Sequence, residues 1–469
     1  MKCDTCPIPT QYCHFTMFSH LLMTCLRLFL VCLLALAHNS LCYQNICVVG
    51  GGFGGLYTAL KLDKLYSPKD VSITLIDPKD KFVFLPLLYE LVADSASIVE
   101  VAPRFNELLA DTNIQLVNGL SESIDMNSRT VTVKQHETSS TTVQYDKLVL
   151  ACGAQPNMDT INGLKDHAIP FARVEDAFRL QVTLKKLLQQ KEMSTSSQEP
   201  LKFAILGGGY SGIEIASTLS AYLRNRKVPA EVSIFDRNDR IMKSSTDFNR
   251  QSSLEALSKL NVDVKTSVNI RRVSEDGLYY VPKNDPDPNG EGEFFPADVV
   301  IATLGMNQSP LLNNIPGIRR DASSGRISTS RSLQSLSDPS VFALGDCALV
   351  DGMQLPCTAQ VAMQQSEIVS KNIELLIRDE RDKVRVPSRL EKFRYVPLGE
   401  MLTLGANKAS VSSLGGLLEL SGPVASAARR LVYSARIPTQ KQQQQALVSS
   451  VLSQTLVAFE ELAAIIDDK

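Results

Sequence analysis

The sequence predicts an α/β protein whose parallel sheets carry two separate phosphate-binding turns. Three observations predict it. Apolar runs of strand length alternate with helical stretches, as in ICVVG (46–50), VSITLID (71–77), KLVLAC (147–152), KFAILG (202–207), EVSIFD (231–236), DVVIATLG (298–305) and SVFALG (340–345). One pattern recurs: VVGGGFGGLYTALKL (48–62) and ILGGGYSGIEIASTL (205–219) both read strand, glycine turn, helix. Each is followed by a second strand ending in an acid, Asp77 at 22 residues beyond Gly55 and Asp236 at 24 beyond Gly212.

The chain has 469 residues, too many for one ordinary core, so two to three domains are expected. Apolar content of 44% and charged content of 21% are those of a soluble globular protein. A net charge of −2 implies no polyanionic partner, so nucleic acid is not expected. Beyond residue 40 the only histidines are His136 and His167, which argues against a histidine base and against a metal site. Seven of the ten cysteines crowd the first 47 residues, leaving Cys152, Cys347 and Cys357 for the body. The body thus reads as a reduced-compartment enzyme and not as a disulfide scaffold.

Residues 21–37, LLMTCLRLFLVCLLALA, are apolar but interrupted by Arg27, and they end in a small-x-small pattern. This is a signal-type targeting segment, with an uncleaved anchor as the alternative. Further along, QQKEMSTSSQEP (189–200) reads as a polar loop, NDPDPNGEGE (284–293) as a turn-rich hairpin or loop, and 440–445 as a glutamine-rich linker.

The recurring turn explains itself physically. In G-x-G-x-x-G the first glycine (Gly50, Gly207) makes the tight turn. The second (Gly52, Gly209) lets a pyrophosphate approach the backbone, and the third (Gly55, Gly212) lets helix pack on strand. The anion then sits at a positive helix N-terminus, and Asp77 or Asp236 meets the ribose hydroxyls. Two such turns mean two dinucleotides: a tightly held FAD and an exchanging NADH or NADPH. VFALGDCALV (341–350) ends a strand at Gly345-Asp346 and resembles the place where two-dinucleotide flavoproteins carry an Asp that reaches the ribityl or phosphate end of FAD. The fold is therefore two Rossmann-like domains, and the likeness to two-dinucleotide flavoproteins implies a glutathione-reductase-like arrangement of them. The expected division is a leader (1–44), an FAD-binding domain in two parts (45–165 and 316–395), an NAD(P)H-binding domain (166–315), and a C-terminal membrane-associating helical region (396–469).

On these motifs, together with KFVFLPLLYELV (81–92), ALGDCA and LPCTAQVAMQQ (355–365), the sequence resembles the type II, non-proton-pumping NAD(P)H:quinone oxidoreductases of the two-dinucleotide flavoprotein superfamily. The FVFLPLLYEL form is most similar to the cyanobacterial and plastid branch. The resemblance implies that Gly50, Gly52, Gly55 and Asp77 hold the ADP half of FAD, and that Leu85, Pro86 and Leu87 lie along its isoalloxazine. It implies Asp346 on the ribityl side, with Ala359 and Gln360 at the pyrimidine edge. Gln360 and Gln364, one helical turn apart, would line the quinone pocket, with helix capping and interdomain hydrogen bonds as the other use of these amides. Glu214 would be a carboxylate near the nicotinamide, with salt bridging or solvation as its plain alternative. Many family members carry Glu where Asp236 stands, and Arg237 follows it, so NADPH use is open beside NADH.

The implied reaction is a hydride from NAD(P)H to FAD, then two electrons to a membrane quinone, a plastoquinone or a phylloquinone-type naphthoquinone. Two alternatives stand. One is a sulfide:quinone oxidoreductase, which Cys152, Cys347 and Cys357 leave formally open. The other is a redox sensor that binds FAD and NAD without significant turnover. At the C-terminus, Val448, Leu452, Leu456, Phe459, Leu462 and Ile466 form a helical apolar stripe. Peripheral membrane docking is one use of it, and a homodimer or core contact the other. A signal-type leader on a plastid-branch sequence points to a plastid membrane surface, with the mitochondrial inner membrane as the alternative.

Overall fold

The computed structural model describes residues 43–444, apart from 137–138, 194–198, 286, 288–289 and 440–441. The expected leader and the stripe from Val448 to Ile466 lie outside the described residues. Two five-stranded parallel sheets organise the chain. The first runs in the order Val341–Ala343, Lys147–Leu150, Gln44–Val49, Val71–Asp77, Ile114–Asn118. The second runs Val262–Lys265, Ala230–Phe235, Leu201–Leu206, Val299–Ala302, Ala168–Pro170. Both central strands, Gln44–Val49 and Leu201–Leu206, end in four consecutive buried residues. A parallel sheet covered on both faces needs that continuous apolar run instead of alternation. The first sheet is completed by Val341–Ala343, from beyond the whole of the second.

The helices that position the site are α1 (Gly55–Leu65), α2 (Leu88–Val92), α3 (Val174–Met193), α4 (Tyr210–Asn225), α5 (Ala359–Arg381) and α6 (Gly422–Ala435). α1 and α4 leave the two glycine turns. α5 lies against α1, tied by an ion pair between Lys61 and Glu367. Leu87, just before α2, packs against both main cores and joins the two halves.

The expected strands are all present, with trimmed ends: Lys147–Leu150 stops before Cys152, and Val299–Ala302 stops before Gly305. The 284–293 stretch joins the antiparallel strands Gly277–Pro282 and Glu293–Pro296. Two expectations differ from the structure. α3 continues through residues 189–193, because Leu187 and Leu188 pack on the core and Gln, Lys and Glu are good helix formers. The C-terminal region opens as a three-stranded antiparallel sheet, Glu400–Thr403, Ala409–Ser413 and Leu418–Ser421, and only then becomes helical in α6. The turn between its last two strands uses Gly415 and Gly416 at φ 67° and 90°, a left-handed region that favours glycine. Among the described residues, no helix is long and apolar enough to cross a membrane.

Candidate active site

The two glycine turns share one geometry. Gly50 stands at φ 103° and Gly207 at φ 110°. A Cβ on Gly55 would lie 1.8 Å from the Gly50 carbonyl oxygen, and one on Gly212 would lie 1.9 Å from that of Gly207. Helix and strand are therefore in backbone contact, which only glycine permits. Gly52 and Gly209, in contrast, face open space. Neither α1 nor α4 has a side-chain cap or an acid in its first turn, so each positive helix end remains available to an anion.

Asp77 and Asp236 perform matching tasks. Asp77 accepts from the Gly51 amide at 2.6 Å and from the Lys79 amide at 2.8 Å. Asp236 accepts from the Gly208 amide at 2.5 Å and from the Asn238 amide at 2.6 Å. Each carboxylate braces its glycine turn and keeps lone pairs for a ribose. Burial pushes Asp77 above the usual carboxylate range, against the two amides and Lys79.

The third motif closes on the first turn. Leu344 donates to the Leu150 carbonyl at 3.0 Å, and its side chain lies 3.2 Å from where a Gly54 Cβ would stand. Gly345, at φ 72°, donates to Gln365 Oε1 at 2.6 Å. Asp346 follows, raised by burial and lowered by Arg326 and the Cys357 thiol. Thr358 caps α5, which starts at Ala359, and a Cβ on Gly345 would sit 3.6 Å from Ala362. Gly50, Gly52, Gly55, Asp77, Gly345, Asp346 and Ala359 thus belong to one place. Leu85, Pro86 and Leu87 form a short 3₁₀ turn, with Leu85 exposed although apolar.

Gln360 and Gln364 share a face of α5, and their amides are engaged by the segment 395–399. Gln360 Oε1 accepts from Tyr395 Oη at 2.6 Å and from the Leu398 amide at 3.1 Å, while Nε2 donates to the Gly399 carbonyl at 3.3 Å. Gln364 exchanges both bonds with the Val396 backbone, at 2.8 and 3.0 Å. Here the amides act as strap holders.

Glu214 lies on α4 and accepts from the Thr403 amide at 3.1 Å. Burial pushes it up to about 7, with Arg429, the Thr403 amide and the Tyr89 hydroxyl pulling the other way. Beside it is a buried cluster that sequence reasoning missed. Arg429, 1% exposed, donates to Tyr89 Oη at 2.8 Å and pairs with Glu90, which also receives Arg430 at 3.1 Å. Tyr89 and Glu90 end the LPLLYE run, and two adjacent arginines in an otherwise small and apolar helix were the available signal.

The match to known proteins decides the family. The family model for pyridine nucleotide-disulphide oxidoreductases matches residues 44–366, which covers both turns and the Gly345-Asp346 motif. The chain belongs to this family, in its type II NAD(P)H:quinone oxidoreductase branch. It is 36% identical over 406 residues to demethylphylloquinone reductase NdbB of Synechocystis, covering 85% of this chain and 93% of that one. It is 34% identical to the chloroplastic/mitochondrial alternative NAD(P)H-ubiquinone oxidoreductase C1 of Arabidopsis thaliana, covering 84% and 78%. The Plasmodium falciparum NDH2 structure in complex with NADH shares the fold, with a TM-score of 0.75 at 18% identity, covering 88% of this chain and 98% of that one. The helix after the first turn, LYTALKL, contains no cysteine pair, although the family description includes disulphide chemistry.

Proposed function

We propose that the chain oxidises NADH or NADPH with bound FAD and reduces a quinone at a membrane surface. The observation that carries this reading is the pair of equivalent turns, each braced by its own carboxylate, with the Gly345-Asp346 loop closing on only one of them. The site divides accordingly. Gly50, Gly52, Gly55, Asp77, Gly345, Asp346 and Ala359 hold FAD, and Leu85, Pro86 and Leu87 offer an apolar seat for its ring. Gly207, Gly209, Gly212 and Asp236 hold the nicotinamide dinucleotide. Bound FAD supplies hydride acceptance and two-electron delivery. The residues bind, orient and exclude water. Glu214, held near 7, can take or give a proton beside the nicotinamide side. Gln360 and Gln364 fix the strap that borders the quinone side.

The likeness to a demethylphylloquinone reductase favours a naphthoquinone substrate, with plastoquinone second. Sulfide as donor would need an accessible thiol pair; of the body cysteines Cys347 is fully buried, Cys152 half-buried and Cys357 exposed. The domain division at 165, 315 and 395 belongs to this proposal. So does membrane docking, supported by the exposed Leu414, Leu417, Leu418, Val424 and Leu431 of the C-terminal sheet and α6. A plastid address, with the mitochondrial inner membrane as the alternative, is supported by the chloroplastic/mitochondrial relative. The test is steady-state oxidation of NADH and of NADPH against naphtho-, plasto- and ubiquinone analogues. Turnover fastest with the naphthoquinone is expected. Rates below about one per minute with every quinone would leave the sensor reading instead.

A further inference from the structure

The Gly345-Asp346 turn is flanked from two sides. On one, the buried Gln365 accepts from the Gly345 amide at 2.6 Å. On the other stands a group that none of the motifs contains. Arg326 immediately precedes the strand Ile327–Thr329, which pairs with Ala348–Val350 just after the Asp346 turn. Its Nη2 donates to Cys357 Sγ at 3.0 Å, and both Arg326 and Cys357 act electrostatically on the Asp346 carboxylate. A bonded guanidinium and thiol thus stand between the sheet and the start of α5, beside the turn that carries Asp346. Arg326 Nε is buried and has no partner among the described residues. Such a donor is costly to leave unpaired, and it points to a polar group that completes this corner.

We propose that Arg326 is a positioning residue for the cofactor: set beside the Asp346 turn by its strand and bonded to Cys357, it keeps the Asp346 carboxylate charged for the ribityl hydroxyls of FAD. The inference rests on the reading that Asp346 faces FAD. The charged and titratable groups facing Asp346 are Arg326 from beside the strand, Cys357 from the segment before α5, and Cys347 from its own turn. Burial favours the neutral carboxyl and Arg326 opposes it. Without Arg326 the carboxyl takes up its proton at higher pH. An ionised acceptor makes the stronger hydrogen bonds to hydroxyls. FAD affinity should therefore fall on acidification in a variant lacking this charge.

The experiment measures FAD affinity of the full chain by quenching of flavin fluorescence, from about pH 8 to about pH 5.5, the range in which a buried carboxyl without a cationic neighbour takes up its proton. Wild type is expected to be nearly flat. Arg326→Gln should match it near the alkaline end and bind about tenfold more weakly near the acid end, because each pH unit below a carboxyl's midpoint cuts its ionised fraction about tenfold. Arg326→Lys should restore the flat profile. Cys357→Ala, which removes the thiol that Arg326 bonds and spares the charge, should fall between and serves if Arg326→Gln does not fold. Superposed profiles for wild type, Arg326→Gln and Cys357→Ala would overturn the inference. So would an equal loss at every pH that Lys does not rescue, since that is packing and not charge. A wild-type chain that holds no FAD would overturn the proposed function, and this inference with it.

Discussion

The two glycine turns have the same backbone and present different groups two residues after the third glycine. In α1 that position is Tyr57; in α4 it is Glu214. Tyr57 stacks on Phe53 at 6.1 Å, lies 6.2 Å from Phe82, and donates to the Arg436 carbonyl. Burial pushes its hydroxyl far above neutral pH. Glu214 instead sits near 7, beside Arg429, Tyr89 and Glu90. The first turn is sealed by aromatic packing and by the Asp346 loop, as suits a resident cofactor. The second presents a titratable acid, as suits a site where a dinucleotide comes and goes. The backbone motif thus supplies binding, and the residue behind it supplies the chemical difference.

The strongest way to break this comparison is to add one methyl group to either turn. Gly55→Ala and Gly212→Ala face almost identical clashes, at 1.8 and 1.9 Å. Gly55→Ala should purify without FAD. Gly212→Ala should keep FAD and slow NADH-driven flavin bleaching by about 100-fold, the effect of an ångström-scale displacement. Flavin-to-protein ratios and stopped-flow absorbance read both. Equal FAD loss in the two variants would mean the turns do not divide the cofactors.

Arg429→Leu comes next. It leaves Glu90 buried with only Arg430, so a loss of about 3 kcal/mol in urea unfolding is expected, the low end for a broken buried pair. Changing Glu90 to Leu as well should recover much of it. Because the cluster flanks the second turn, FAD content should stay at the wild-type level. A flavin-free Arg429→Leu protein would show that the cluster supports the first turn instead.

How much of this was legible follows from locality. The turns and their acids were readable because a tight turn, a close helix and a bracing carboxylate impose residue types within about two dozen positions. Glu90 and Arg429 meet across 339 residues, and nothing in either local pattern specifies the other. The C-terminal sheet did leave a signal. Val411 to Ser413 and Leu418 to Ser421 flank Gly415-Gly416, a hairpin mark that the surrounding apolar residues obscured. Gln360 and Gln364 were legible as a shared face. Their partner segment was not, because 395–399 has no regular structure of its own to predict.

A smaller effect sharpens the Tyr57–Glu214 contrast by pH. Glu214 titrates near 7 in the fold and near 4.5 when exposed. Its stabilising contribution is therefore complete below about 4.5 and is lost as pH rises through about 7. Glu214→Gln should gain melting temperature relative to wild type across that window, while Tyr57→Phe should shift by a constant amount. The quinone-dependent rate should show a limb near 7 that Glu214→Gln lacks. Parallel melting curves for Glu214→Gln and wild type would place the carboxyl's titration elsewhere.

The smallest effect is expected at the strap, outside both turns. Gln364 makes two backbone bonds to Val396, and Leu of similar size makes neither. Gln360 still holds Leu398 and Gly399, so the strap loosens without being released. Both side-chain bonds of Gln364 go to Val396 and not to a glycine turn, and NADH-driven flavin reduction should keep its rate. The strap borders the proposed quinone side, so the quinone KM should rise severalfold, a cost of about 1 kcal/mol that matches the loss of ordinary hydrogen bonds. If both half-reactions slow together, the strap braces the whole flavin site; if neither changes, Gln360 alone sets its position.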